Sequence, residues 1–517
     1  MERKSRTAYS LLNMFANFAG YGINILVSFI CRMVFVRCLA QEYLGVSGLF
    51  SNILSMLSLT ELGIGTAIVY AMYKPIAEDD HEKLASLMKF YGTAYKVIGC
   101  AVALFGLALL PFLDLIIGEQ PGISDNLHVL YLMYLFNSAS SYFFSYRTTI
   151  LTASQRNYVV VAINYVVVII QNIIQISVLL TLKNFTAYLF VQIICGLVTN
   201  ILSSQKAKKD YPFIAQKKVK PLSKEEKWGL VKNVKALTVY KLSGLLVNNT
   251  DNIVITYFNG LITTGVASNY TLLSGMLSSL LNMVFGSMTA SVGNLNAKES
   301  DETKYHIFKA LNLANYWLYA WGAVGIIVVS GDLVCLLFGE NYVLPQSIPV
   351  ILAINFYMVG MQTAVLNYKS TMGLFRYGQY LLLVTAAINI IGDIILGAKL
   401  GLFGIFAATA VSRLFTNTWY EPYAVYKYGL HRNPIQYLWI YLKYLAILIL
   451  CTGACYYLCA MLQVSLVPRI LIKIFVCSAI PNLVFLCAFG RTDEGKYLKE
   501  KAVSILAVFH NKKEKST

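Results

Sequence analysis

Apolar runs of about 20 residues, long enough to cross a bilayer as a helix, recur along this chain from near its start to near its end. Nothing else in the sequence constrains the fold as tightly. In hydrocarbon every backbone N–H and C=O must find a partner inside the protein, and only helices and closed barrels achieve that. The alternation expected of a membrane barrel, at roughly 10-residue spacing, does not occur. The chain therefore reads as an all-α polytopic membrane protein. Fourteen spans are expected, at 9–37, 44–72, 90–117, 127–151, 158–182, 185–204, 233–258, 263–292, 305–329, 344–367, 378–398, 401–420, 437–461 and 467–489. Composition agrees, since only 13% of the 517 residues are charged, against about 25% in soluble domains.

The basic residues assign the loops to two sides. Every second loop is basic: Arg3, Lys4 and Arg6; Lys74, Lys83 and Lys89; Arg147 and Arg156; Lys298, Lys304 and Lys309; Lys369 and Arg376; Lys427 and Arg432. The intervening loops at 118–126 and 330–343 carry acids and no base, and exceptions such as Lys183, Lys399 and Arg469 are single. By the positive-inside bias both termini are expected in the cytoplasm. The net charge of +17 is thus spent on topology and argues for no nucleic-acid partner. The N-terminus lacks a signal-peptide cleavage pattern and reads as the first permanent span.

One long basic loop, Ser203 to Lys235, contains ten lysines and separates two halves. The expected division is a six-helix bundle at 1–204, a basic cytoplasmic linker at 205–232, a second six-helix bundle at 233–420, and two extra spans with a cytoplasmic amphipathic tail at 421–517. Within the linker, Ser223 and Glu226 have the spacing of a capping box. The lysines serve either as a stop-transfer signal or to attract anionic headgroups. The bundles resemble repeats offset by about 220 residues, with Gly45-Val46 matching Gly265-Val266, and six spans per half would keep them parallel. Polar stripes support this: Asn13, Asn17, Gly20, Asn24, Ser28 and Arg32 share one helical face, as do Lys241, Gly244, Asn248 and Asp251 or Asn252. Ser47, Ser51, Ser55 and Ser58 lead along the second span to Glu61. Small and amide residues at such spacing also serve helix packing, but full charges in a span call for a wet cavity or a partner.

Other chemistry finds little support. Cys451, Cys455 and Cys459 share a face and read as packing, and no Cys/His spacing resembles a zinc site. The segment Gly490-Arg-Thr-Asp-Glu-Gly-Lys-Tyr497 nears a phosphate loop but has Tyr where magnesium needs Ser or Thr, with no strand before it. Five scattered histidines and no sizeable extramembrane loop argue against an enzyme.

Three blocks resemble a known family. They are YLGVSGLFSNILSMLSLTELGIGTAIVYAMYKPIAEDDHEKLASLMKFYGTAYKVIG from Tyr43, VYKLSGLLVNNTDNIVITYF from Val239, and GLFRYGQYLLLVTAAINIIGDIILGAKLGLFGIFAAT from Gly373. These are similar to the Wzx-like polysaccharide flippases of the multidrug/oligosaccharidyl-lipid/polysaccharide (MOP) exporter superfamily. The resemblance implies two six-helix bundles around a central lumen with two C-terminal helices, in a bacterial cytoplasmic membrane. It implies movement of undecaprenyl-pyrophosphate-linked oligosaccharides to the outer leaflet by alternating access without ATP hydrolysis, beside a polysaccharide polymerase machinery. A cation-coupled drug exporter of the same superfamily is the alternative.

For such a substrate, Lys241 near the cytoplasmic end of its span would meet the pyrophosphate, or else pair with Glu61 or Asp251. Arg32 would hold the phosphate nearer the outer side, or snorkel. Asn24 and Asn248 would bind sugar hydroxyls between them. Lys369 and Arg376, flanking a short inner loop, would admit the headgroup or only mark topology. Glu61 and Asp251 are the proton- or sodium-coupling candidates, with structural pairing as the other reading. Asp393 and Arg413 read as a pair. No resident cofactor or metal is expected.

Overall fold

The computed structural model describes residues 6–503 except 59–63, 118–121, 155, 217–218, 290–291, 293–294, 297–298, 375–376, 379 and 502. Among the described residues there is no strand, and each of the fourteen expected spans carries helix. Eight of the helical stretches are long and apolar enough on their own to cross a membrane. The chain forms two compact units, Met1–Gly265 and Val266–Thr517.

The first unit contains α1 (Arg6–Cys38), α2 (Gln41–Leu57), α3 (Ile64–Ala77), α4 (His81–Leu109), α5 (Leu113–Ile117), α6 (Leu127–Ser145), α7 (Thr149–Ala153), α8 (Asn157–Thr181), α9 (Phe185–Asp210) and the start of α10 (Lys224–Ser287). Helix α1 lies along α8, α8 along α9, and α6 packs between α4 and α9. Lipid offers apolar side chains no less than a protein interior does, so close packing and interhelical hydrogen bonds hold such helices together. Gly45 shows the packing. A Cβ there would stand 2.1 Å from the carbonyl oxygen of Leu261, and one on Gly265 would stand 2.9 Å from the Gly45 nitrogen. The two glycines matched by the 220-residue offset thus touch. The fifth-span amides supply hydrogen bonds: buried Gln175 donates to the Tyr188 carbonyl at 3.2 Å, joining α8 to α9.

Two boundaries differ from expectation. The basic loop is shorter, because α9 continues to Asp210 and α10 begins at Lys224, leaving 211–223 between them. Both extensions are polar helix beyond the apolar run, which hydropathy does not register. The start of α10 is the expected capping box: Glu226 N donates to Ser223 Oγ at 3.1 Å and Ser223 N to the Glu226 carboxylate at 3.0 Å. The loop is tied to the beginning of α4. Ser86 Oγ donates to the Lys220 carbonyl at 2.8 Å, Lys220 pairs with Glu82 at 3.0 Å, and Lys83 pairs with Glu226. That ammonium holds the Glu226 carboxyl below its ordinary pKa. At the end of α9 the buried Asp210 carboxylate meets Arg156 at 2.8 Å and Lys206 at 2.9 Å.

The second unit contains the rest of α10, then α11 (Asp301–Phe338), α12 (Ser347–Thr371), α13 (Leu381–Phe415), α14 (Asn417–Ala424), α15 (Ile435–Ala460) and α16 (Leu466–Phe489). Helix α11 runs on to Phe338, so the acidic loop expected from 330 begins only at Gly339. It is the spine of the unit, packed on α12, α15 and α16. Aromatic pairs fill that core: Tyr316 stacks on Tyr444 at 4.1 Å and Trp317 on Phe485 at 4.8 Å. Each such pair adds about 0.5–1.5 kcal/mol beyond the area it buries. Arg469 is no stray outer base, for it and Lys473 pair with Asp332 at 3.0 and 2.7 Å. The described part of the tail docks on α11 through Lys309–Glu494 at 2.6 Å and an edge-on His306–Tyr497 contact.

Helices α10 and α13 each consist of two arms meeting at one glycine. Gly260 has φ 81° and ψ 166°, and Gly401 has φ 57° and ψ −139°. These conformations are open to glycine and costly for residues with a Cβ. Across the turns, the Thr256 and Thr264 hydroxyls lie 2.9 Å apart, and Thr385 donates to Thr416 at 2.8 Å.

Candidate functional site

On α1 the expected stripe is described from Gly20 onward, the side chains of Asn13 and Asn17 lying outside the described residues. Ser28 Oγ donates to Asn24 Oδ1 at 3.3 Å across one helical turn, and Arg32 follows one turn later. Arg32 is half-buried and lies within electrostatic reach of the Tyr134 and Tyr188 phenols. Tyr134 in turn donates to Ser47 Oγ at 2.8 Å. A half-buried guanidinium can receive a phosphate with charge-assisted hydrogen bonds, roughly twice as strong as neutral ones. Arg37, by contrast, is exposed.

Lys241 and Asn248 sit on the first arm of α10, with side chains outside the described residues. Glu61 and Arg376 also lie outside them. Asp251, on the same arm, is half-buried and engaged by a neighbour. Lys369 is not an open receptor at a loop rim. It is buried, and its Nζ stands 2.5 Å from Glu421 Oε2, with side-chain exposures of 10% and 6%. The helix end carrying Lys369 is thereby pinned to α14. Glu421 itself gave no signal in the sequence, being 52 residues away.

A second polar site lies within the two arms of α13. Asp393 is fully buried, 12 residues and so about 18 Å by helix rise from the start of the helix. Asn389 Nδ2 donates both to Asp393 Oδ1 at 3.1 Å and to Thr409 Oγ1 at 3.2 Å. Its Oδ1 accepts no hydrogen bond among the described residues. One turn nearer the start of α13, Thr385 links to Thr416 at 2.8 Å and to Asn417 at 3.1 Å. A carboxylate, an amide carbonyl and a hydroxyl are the oxygen donors a hard cation takes, and the carboxylate can equally take a proton. Among the described residues no group of three His, Cys, Asp or Glu side chains could hold a metal ion. The signal for this cluster was in the sequence, since Thr385, Asn389 and Asp393 repeat every four residues. Reading Asp393 only against Arg413 passed over it.

Most of the length of the chain finds counterparts among solved structures. The lipid II flippase MurJ in an inward closed conformation superposes with a TM-score of 0.65 at 15% identity, over 94% of this chain and 99% of that one. The fold is that of the MOP-superfamily transporters. An inward-facing MATE-family multidrug resistance transporter of that superfamily follows at TM-score 0.56 and 12% identity, over 82% of this chain and 95% of its own. A MOP-superfamily transporter from Pyrococcus furiosus gives 0.51 and 13%, over 84% of this chain and all of its own. No protein-family model matches the sequence, and no curated protein does. The MOP fold agrees with the multi-pass, two-bundle reading of the sequence.

Proposed function

We propose that this chain flips undecaprenyl-pyrophosphate-linked oligosaccharide repeat units from the inner to the outer leaflet of a bacterial cytoplasmic membrane, by alternating access without ATP hydrolysis. One observation carries the choice of flippase over drug exporter. The MurJ structure matches 94% of this chain, whereas the MATE-family transporter accounts for 82%, so the flippase fold accommodates more of its length. The half-buried Arg32 suits a pyrophosphate, and Asn24 and Asn248 suit sugar hydroxyls. Lys241, 17 residues along α10 and a few residues inside its apolar run, meets the anion on entry, and Arg376 adds charge at an inner loop. With Lys369 committed to Glu421, it drops out of the substrate set. For coupling, Asp251 and Glu61 are joined by Asp393, whose Asn389 and Thr409 shell makes it the better-built proton or sodium site.

The test is reconstitution of the full chain in proteoliposomes with a short-chain polyprenyl-pyrophosphate disaccharide in the inner leaflet and a soluble glycosidase outside. Sugar release that depends on the chain and falls at least tenfold in Arg32→Ala supports the reading. Release no faster than from empty vesicles, with export of organic cations instead, overturns it in favour of drug export.

A further inference from the structure

One end of the second unit carries an arrangement that neither the ion pair nor the polar helix cluster uses. Helix α14 does not stop cleanly. It widens into a single π-helical turn, Val425–Gly429, with Leu430 N donating to Val425 O at 2.9 Å and Arg432 N to Tyr426 O at 2.8 Å. Such turns are rare and recur at functional sites. Here the turn presents Lys427 between two rings. Its Nζ lies 5.1 Å from the Tyr423 ring centroid and 5.6 Å from that of Tyr428, and it donates to Tyr423 Oη at 2.6 Å.

The rings are fixed by each other. Tyr377, from the turn after α12, stacks on Tyr428 at 3.9 Å and 11°, while Tyr428 meets Tyr423 edge-on at 6.2 Å. Two glycines allow this closeness. The Tyr420 ring, which neighbours Tyr423 at 6.0 Å, fills the space where a Cβ on Gly378 would stand, 2.7 Å from Tyr420 Cε1. A Cβ on Gly429 would meet Met372 Sδ at 2.5 Å.

The charge balance is as telling. Lys427 is exposed and has no acidic partner among the described residues, and Glu421, two turns earlier, is already neutralised by Lys369. An ammonium held by the hydroxyl edge of one ring and lying near a second ring keeps its charge available, because an incoming anion need only displace that neutral phenol. Interfacial tyrosines commonly anchor helix ends with their rings at headgroup depth. These instead form a contiguous cage around a cation.

We propose that the Lys427–Tyr423–Tyr428 cage binds a phosphosugar headgroup, the lysine taking the pyrophosphate and the rings packing against the sugar. The assignment rests on the flippase reading, and it places initial headgroup capture at the end of the unit that the basic-loop pattern assigns to the cytoplasm.

The experiment measures binding to the purified full chain in detergent, by thermophoresis, of three probes: citronellyl pyrophosphate, N-acetylglucosaminyl-pyrophosphoryl-citronellol and UDP-N-acetylglucosamine. Lys427→Ala should weaken both lipid probes about tenfold or more, as expected for losing a charge-assisted contact, and Lys427→Arg should recover most of it. Tyr428→Leu should remove only the extra affinity that the sugar confers, roughly 2–10-fold for a lost ring contact. Tyr428→Phe, which keeps the ring, should lose less. Melting temperatures near that of the parent exclude misfolding as the cause. If the parent binds the lipid probes and both Lys427→Ala and Tyr428→Leu bind them as the parent does, the cage assignment falls alone. If the parent binds no lipid probe, the flippase reading falls and takes the cage with it. If the nucleotide sugar binds as tightly and with the same losses, the site serves a soluble phosphosugar and the lipid-linked assignment is overturned.

Discussion

Replace Glu421 by Gln and Lys369 keeps its charge in a place where water barely reaches it. The pair is 2.5 Å apart with side-chain exposures of 10% and 6%, so neither member can turn to solvent. Removing one partner of a buried pair costs about 3–5 kcal/mol, because an uncompensated charge remains. At about 2–4 °C per kcal/mol for a unit of this size, that is roughly 6–20 °C in melting temperature. Lys369→Met should cost a similar amount by stranding the carboxylate. The double variant Lys369→Met/Glu421→Leu should lie within about 3 °C of the parent, since apolar substitutes of like volume often match a buried pair. The assay is thermal melting in detergent followed by size-exclusion chromatography, on all four members of the cycle. Two single variants that melt within about 2 °C of the parent, less than 1 kcal/mol on that scale, would refute a structural pair. Loss of transport in Lys369→Met at unchanged melting temperature would return Lys369 to the substrate path.

Other outcomes follow from the packing and the linker. Gly45→Val should abolish accumulation of folded protein in the membrane, because its Cβ would stand 2.1 Å from a backbone oxygen; Gly325→Ala, with open space around it, should accumulate normally. Ser223→Ala should cost about 1 kcal/mol of local stability at the start of α10, read as faster amide exchange over 224–230. Lys83 holds the Glu226 carboxyl below its ordinary pKa of 4.5, so its contribution is complete above that value and is lost as pH falls through the lowered one. Being partly exposed, the pair should contribute modestly, and amide exchange over 211–226, corrected for intrinsic rate, should rise as the pH falls below 4.5 but not between about pH 8 and 6. Asp393→Asn should remove any proton or sodium dependence of transport in vesicles while leaving the melting temperature near the parent's; unchanged ion dependence would make the cluster structural.

The bilayer makes span positions legible, because its thickness fixes how long an apolar run must be, and all fourteen expected segments carry helix. It says nothing of where a helix ends in water. That is why α9 and α10 overran their expected limits into lysine-rich sequence, whereas the Ser223–Glu226 cap, a strictly local device, was readable. The candidate site divides in the same way. Asn24, Ser28 and Arg32 lie a turn apart on one helix, so their common face followed from spacing. Lys369 and Glu421 stand on separate helices, and their meeting depends on how α12 and α14 pack, which no periodicity encodes. The Thr385–Asn389–Asp393 spacing was legible, but its completion by Thr409 from the other arm of α13 was not.

The single-residue turns at Gly260 and Gly401 bear on how the protein is made. With one glycine between two arms, no loop separates them. Each pair is closed by a turn too short to carry a topology signal of its own, so its direction rests on the charges flanking its open end, among them those of 211–223 for α10 and 372–380 for α13. Lys399, exposed in the last turn before Gly401, can therefore sit on the far side without reversing anything. An epitope spliced at either glycine would split a biosynthetic unit rather than decorate a loop.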